Sequence, residues 1–544
     1  MRRRDISKVL LASAAAPVLI NQQTAQAQTT CSPPCYPPLA GGAETFANSP
    51  LTAPVNPTYP PGNVLRWGAD QTGVADSTQA IQYAINIAWA SGYYASPWSG
   101  EGGATPVVFF PPGRYRITGT LTVPNGVTIR GTGHPAHTVN HTRIIMDSPG
   151  STDNRDKPIF RFSRGTLKNE ALENTAVTSS IEDLEFWFVT PGGTFDSPLA
   201  NGIPFGAYPD GGTLMFDIDS ADFRIINCVF QHSPAAIRIK SVPLTQTTRG
   251  DGWVGNLGVG IFIENCEFDA SCTHIYATNS NLDLQFKSTQ FFNAMHRYEG
   301  CTGKVVYQSG RFHGGAWIDA ATVTNTLTKF ELKGADIEIG NANIFLALSK
   351  SSLIDISQNA VLGGASGRSW IEVTDADGGC VVSNAINDSG YNSTPGSGAT
   401  DNAAAIKLLG CQRILVASNC ITTTDAASYN GFGILSYNSA DRPAQNNFFN
   451  GNSITGTYNT GTFNGQNRYL NVMANDVLGI NYSSHVSDNG YLSRNLPVQM
   501  LTLLDGIPAP AATAGKASLY IDSVDGSLKV IFANGIIKTV ALDS

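Results

Sequence analysis

The chain has 544 residues, of which only 14% are charged, against roughly 25% in a typical soluble domain. That shortfall argues against a coiled coil or a helical solenoid, and 25 Phe, 18 Tyr and 7 Trp argue against disorder. Lys and Arg total 34 against 42 Asp and Glu, a net charge of −8 with no basic patch, so nucleic acid is not an expected partner. A neutral sequence rich in Gly, Asn, Ser and Thr, with short apolar runs, reads as a secreted all-β protein.

The N-terminus carries an export signal over 1–27. Arg2-Arg3-Arg4-Asp5-Ile6-Ser7-Lys8 is basic, Val9 to Ile20 is apolar, and Ala25-Gln26-Ala27 suits cleavage. The apolar stretch is too short for a permanent anchor. Arg3-Arg4-Asp5-Ile6-Ser7-Lys8 resembles a twin-arginine signal; an ordinary secretory signal with a basic start is the alternative. Removal of four cations and one anion takes the net charge from −8 to −11. The mature chain is expected to be soluble and extracellular or periplasmic, with no membrane span. Nine cysteines follow. Cys31 and Cys35 suit a small disulfide. Cys228, Cys266, Cys272, Cys301, Cys380, Cys411 and Cys420 lack paired zinc-ligand spacing and read as buried free thiols.

Residues 28–62 form a Pro-rich arm. Beyond it, Gly68-Ala69-Asp70 and Gly73-Val74-Ala75-Asp76-Ser77-Thr78 precede a helix. Asp76 or Ser77 serves as its N-cap, and Ile81, Ala84, Ile85 and Ala88 form its apolar face. Short strands follow around Phe110-Pro111-Pro112-Gly113-Arg114-Tyr115 and Val127-Thr128-Ile129-Arg130-Gly131-Thr132-Gly133. These motifs resemble the N-terminal part of the pectate-lyase-like superfamily, which includes polygalacturonase-like hydrolases, lyases, epimerases and phage tailspikes. The resemblance implies an all-β fold, a right-handed single-stranded parallel β-helix with a short helix capping its N-terminal end. It specifies no reaction.

Repeats support the solenoid independently. Phe223-Arg224-Ile225-Ile226-Asn227-Cys228-Val229-Phe230 recurs as Ile261-Phe262-Ile263-Glu264-Asn265-Cys266-Glu267-Phe268, and the series continues at Phe292 and Phe312 with coils of 20–24 residues. Asn at strand ends is expected to stack from coil to coil. The β-helix is assigned to 63–490, a linker to 491–512, and a C-terminal β-hairpin module to 513–544, with Asp525-Gly526 as its turn. The module either caps the solenoid or assembles trimers, so monomer and homotrimer both stand.

Candidate chemistry lies in outward residues aligned across coils. Phe216-Asp217-Ile218-Asp219 sets Asp217 and Asp219 outward, and Ile237-Arg238-Ile239-Lys240 sets Arg238 and Lys240 outward. An offset of 21 links Asp217 to Arg238 and Asp219 to Lys240; taken as one coil, it seats two acids beside two bases. The register extends to His274 and Tyr276, to His296-Arg297-Tyr298-Glu299, to Trp317 and Asp319, and then to Asp336 and Glu338. The loop 243–258, with Arg249, Asp251 and Trp253, would form a wall. Carboxylates move protons, rings stack on sugars, and cations bind uronates. The alternative is a row of surface ion pairs, each worth about 0–1 kcal/mol.

Arg238-Ile239-Lys240 resembles the Arg-Ile-Lys signature of polygalacturonase-type hydrolases, but their Asn-Thr-Asp, Asp-Asp and Gly-His-Gly motifs do not occur in order. Their catalytic aspartates are therefore not transferred. Thr374-Asp375-Ala376-Asp377-Gly378 lacks the later acidic ligand of a calcium loop and reads as a solvated turn. No metal site is assigned, and Ca²⁺ enters only for a lyase. The expected function is a secreted enzyme cleaving an acidic polysaccharide along the coils. A hydrolase would use two of Asp217, Asp219 and Asp319. A lyase would take the C5 proton with Lys240, Arg238 or Tyr276. Arg238, Tyr276, His296, Trp317 and Trp253 would bind substrate. The alternative class is a non-catalytic glycan-binding or tailspike-like structural protein.

Overall fold

A run of three to eight apolar-alternating residues cannot bury one face alone, and here each run finds its partner one coil away. The structure is a computed structural model. It describes residues 55–95, 106–163, 179–192, 208–240, 259–387, 404–455 and 518–541, each with short exceptions. Successive runs add to three parallel sheets, giving a right-handed parallel β-helix. Among the described residues sheet A has 12 strands, sheet B 13 and sheet C 11. One coil runs from Ala221–Ile226 in A through Val229–Gln231 in B to Ile237–Lys240 in C; Val259–Glu264 then pairs back onto A.

The corner from A to B takes two residues. The first has positive φ, as in Asn227 (54°), Asn265 (53°), Ser288 (52°), Ser309 (53°), Gln358 (59°), Ser383 (57°) and Ser418 (56°), a region that short polar side chains tolerate. The second corner residue points inward. Early coils place Cys228 and Cys266 there, while late coils place Asn359, Asn384, Asn419 and Asn452, all buried. These four asparagines form a ladder. Each Nδ2 from Asn359 to Asn419 donates to the next Oδ1, at 2.9, 2.9 and 2.8 Å, and to the backbone carbonyl of Leu332, Ile356 or Val381. The same Oδ1 atoms accept the corner N–H groups of Asn359, Asn384 and Asn419. The expected stacking of Asn is present, and it satisfies backbone groups that the corner would otherwise leave buried and unpaired.

Inside sheet B, Phe186, Phe230, Phe268, Phe291 and Phe312 stack at centroid separations of 4.7–5.3 Å. The row passes through Phe291, which pairs with both Phe268 and Phe312. Phe292, the residue expected from the repeat, instead lies parallel to His313 at 5.5 Å outside. Two adjacent phenylalanines occupy opposite faces of one strand, so a spacing count alone does not choose between them. Cys228, Cys266, Cys301 and Cys411 are free and buried as expected, whereas Cys380 is partly exposed and Cys420 is exposed.

The helix Thr78–Ala95 lays Ile81, Ala84, Ile85 and Ala88 onto the first coil. Gln82 does more than pack. Its amide donates to the Thr122 carbonyl at 2.9 Å and accepts the Thr122 N–H at 2.8 Å. Thr122 lies on the edge strand of sheet C, so one side chain replaces the missing neighbour. Residues Ser518–Ile521, Leu528–Ile531 and Ile537–Ala541 form a three-stranded antiparallel sheet, with Gly535 at φ 79° in its second turn. The export signal, most of the arm, Cys31, Cys35, Cys272, the linker and Asp525-Gly526 lie outside the described residues. No described helix is long and apolar enough to cross a membrane.

Removing the Asn384 amide strips partners from Asn359, Asn419 and the Ile356 carbonyl at once. Asn384→Ala should therefore cost about 2–4 kcal/mol. Asn265→Gly, which keeps the positive φ and removes an exposed amide, should stay within about 0.5 kcal/mol. Urea unfolding monitored by circular dichroism compares the two; equal losses would deny the inner ladder its role.

Candidate functional site

The outer face of sheet C carries two rows of side chains. Strand pairing runs one row through Met215, Arg238, Tyr276, Arg297 and Asp319, then Ala347, Glu372 and Lys407. The neighbouring row holds Lys240, Thr278 and Glu299. Consecutive members sit one interstrand step apart, about 4.8 Å.

This register corrects the expected ladder. Arg238 pairs with Met215, an offset of 23 residues, so the coil is two residues longer than the 21-residue offset implies. By that register Asp217 falls in the row of Lys240 and not of Arg238. Lys240 makes its ion pair with Asp210 at 2.9 Å, with both side chains about half exposed. Asp219 and the loop bearing Arg249, Asp251 and Trp253 lie outside the described residues. Asp336 and Glu338 belong to sheet B, on a different face from Asp319.

Tyr276, Arg297, Glu299 and Asp319 are brought together. The Tyr276 hydroxyl donates to Glu299 Oε2 at 3.0 Å, and Arg297 Nε donates to Glu299 Oε1 at 2.5 Å. Arg297 Nη1 also reaches Asp319 Oδ2 at 3.3 Å. One guanidinium thus holds two carboxylates, and all three groups are 28–31% exposed, open enough to meet a ligand. Burial and the Glu299 carboxylate raise the Tyr276 phenol above its usual range, so it remains a proton donor at neutral pH. Arg238 is buried, with its guanidinium 4.9 Å from the Tyr276 ring. It donates to the carbonyls of Gly211 at 3.0 Å and Tyr208 at 2.8 Å. Burial lowers its pKa, though a guanidinium stays charged. Trp317 is partly exposed, two residues before Asp319 on the same face.

His296 is not on this surface. It is fully buried, as are His274 and Tyr298. In Met295–Glu299, Arg297 aligns with Tyr276, so His296 aligns with inward Ile275 and Tyr298 with Ala277. His296 Nε2 lies 3.3 Å from His274 Nδ1, and its Nδ1 is 2.7 Å from the Tyr307 hydroxyl, which meets the Tyr298 hydroxyl at 2.5 Å. These contacts give His274 Nδ1, both His296 nitrogens and the two tyrosine hydroxyls partners inside a core of Phe rings, while His274 Nε2 is buried without a hydrogen-bond partner. Arg297 and Glu299, which the sequence reading named only within a run, are the centre of the site. Matching Ile275-Tyr276-Ala277 against His296-Arg297-Tyr298 by apolar alternation was the signal that would have separated them.

Among the described residues no three His, Cys, Asp or Glu side chains gather as a metal-ligand set. Asp375 instead accepts from Ser439 at 2.6 Å, and Asp377 pairs with Arg413 and Arg442.

Residues 62–182 match the family described as rhamnogalacturonase A/epimerase, pectate lyase-like. No curated protein matches the sequence. Among solved structures, the mannuronan C-5 epimerase A-module of Azotobacter vinelandii is 14% identical, with 76% of this chain and 97% of that chain covered and a TM-score of 0.39. DFA-IIIase from Arthrobacter chlorophenolicus is 12% identical, with coverage of 72% and 94% and a TM-score of 0.44. A surface adhesin of Streptococcus pneumoniae is 15% identical, with coverage of 76% and 96% and a TM-score of 0.34.

The two inner histidines make stability pH-dependent. Burial pushes His274 down from 6.5 to about 3, and burial with His274 alongside holds His296 well below 6.5. Below about pH 6.5 the unfolded chain binds protons that the folded chain refuses. Stability is therefore full above that pH and falls as pH drops toward the folded values. Each histidine should contribute a slope of about 1.4 kcal/mol per pH unit once its unfolded form is protonated. Urea midpoints between about pH 7 and 5, above the carboxylate range, should fall in wild type. The fall should be shallower in His296→Phe; an unchanged slope would deny the buried pair this role.

Proposed function

We propose that the chain is an exported enzyme acting on an acidic polysaccharide, and that it opens the glycosidic bond by β-elimination on the outer face of sheet C. The observation that carries this is the shared Arg297 guanidinium, with Glu299 on one side, Asp319 on the other and Tyr276 donating to Glu299. A uronate carboxylate needs a cation to neutralise it before its C5 proton becomes acidic. Arg297 is partly exposed for that task, and Asp319 fixes its orientation. Both carboxylates act as hydrogen-bond acceptors here. The proton donor of the group is the Tyr276 phenol, which suits elimination better than an acid-catalysed hydrolysis.

In this reading Glu299 takes the C5 proton, the C4–O4 bond breaks, and O4 receives the Tyr276 proton as the C4–C5 double bond forms. Glu299 is then protonated and Tyr276 is a phenolate. Their hydrogen bond returns the proton and resets the pair. Arg238, stacked beneath Tyr276, keeps the ring in place, and Trp317 offers an aromatic surface beside Asp319. The match of residues 62–182 to a pectate lyase-like family supports a polysaccharide as substrate. The export signal over 1–27 accords with a substrate outside the cytoplasm.

The test is to incubate mature protein with acidic and neutral polysaccharides, following reducing ends together with the ultraviolet absorbance of unsaturated uronate. Both signals should rise on an acidic polymer. Tyr276→Phe should lower turnover about 10²–10⁴-fold with an unchanged melting temperature. Reducing ends without unsaturation would mean hydrolysis, and binding with neither signal would mean a non-catalytic glycan-binding protein.

A further inference from the structure

Sheet B has no part in the constellation on sheet C, yet its outer face holds a groove of its own. Strand pairing aligns Asp336, Ala360, Ala385 and Cys420 in one row, and Leu362, Asn387 and Thr422 in the next. The two alanines are the smallest side chains of their row. Beside Leu362, 53% exposed, they leave a trough of about 250 Å³. Its row from Asp336 to Cys420 spans three interstrand steps, about 14 Å along the solenoid axis.

We propose that this trough is a second glycan site, one that takes a segment of an uncharged linear polysaccharide. Its floor and wall are apolar, as the C–H face of a pyranose requires. Hydroxyl-binding groups stand at its ends: the Asp336 carboxylate at one, and at the other Asn387 and Thr422, whose hydroxyl donates to the Asn387 side-chain Oδ1 at 2.9 Å. An apolar pocket with a few convergent polar groups is the usual form of a small-ligand site. Charge selects the class of sugar. No Lys or Arg lines the trough, and Arg311, next to Asp336 in the same row, lies outside it. Inside the trough a polyanion would therefore meet the Asp336 carboxylate and no cationic side chain, Arg311 standing one step beyond its end, whereas the face on sheet C carries its arginine at the centre. The groove runs along the axis because the same two rows line it coil after coil, which suits an extended chain.

Cys420, exposed at the far end of the trough, reports occupancy directly. The rate of iodoacetamide alkylation at Cys420, followed by peptide mass spectrometry on the full mature chain, is measured with a neutral glucose hexamer, a neutral mannose hexamer and a galacturonate hexamer. A bound neutral hexamer should slow the reaction by a factor of one plus the ratio of free ligand to its dissociation constant, while the galacturonate hexamer leaves it unchanged. Ala385→Arg, at an exposed position, should abolish the protection with the fold intact by circular dichroism. Asp336→Asn, which keeps the shape, should weaken it severalfold. The proposal fails if neither neutral hexamer slows alkylation, if galacturonate protects equally, or if protection survives Ala385→Arg. It also fails if Cys420 reactivity falls with protein concentration alone, which would make a second copy of the chain the occupant. None of these readouts involves cleavage, so they stand apart from the test of sheet C.

Discussion

The backbone hydrogen bond between one coil and the next determines which side chains meet. Parallel strands hold their neighbours at about 4.8 Å, so a residue's companions are the members of its row, however far away they lie in sequence. Tyr276 meets Arg297 after 21 residues, and Glu372 meets Lys407 after 35. An insertion between strands lengthens a loop without disturbing a row. A slip by one residue would exchange the Phe ladder for the charged face.

That parity ties the candidate site to its support. In Met295–Glu299, Tyr298 between Arg297 and Glu299 and His296 before Arg297 point inward, into a packed cluster of two histidines and two tyrosines. The outward groups cannot shift without moving strands held on both neighbouring coils. A row on a solenoid is thus a rigid mount, and rigidity is what a guanidinium shared by two carboxylates needs. Burying imidazoles there lowers their proton affinity.

Much of this architecture was legible in the sequence. The helix face of Ile81, Ala84, Ile85 and Ala88, the coil recurrence at Phe230 and Phe268, and the stacking of corner asparagines follow from local periodicity, which the fold preserves. The site was legible only in part. Arg238, Tyr276 and Asp319 do share a row, because Ile237, Ile239, Ile275 and Ile318 mark parity unambiguously. His296 misled because a histidine beside Arg and Glu reads as surface, and because Met295–Glu299 has no aliphatic β-branched residue to mark its inner face. The partner assigned to Lys240 was wrong for another reason: coil length is set by corners and loops whose residue count periodicity does not constrain.

Gln82 has an implication for how molecules meet each other. A parallel β-helix ends in strands whose outward amides and carbonyls are free to template another strand, and solenoids sharing that pattern would add end to end into fibres. Sheet C is closed at its first strand by a single side-chain amide engaged in both directions with Thr122. The helix carrying it therefore blocks strand addition at that edge of sheet C as well as covering apolar surface.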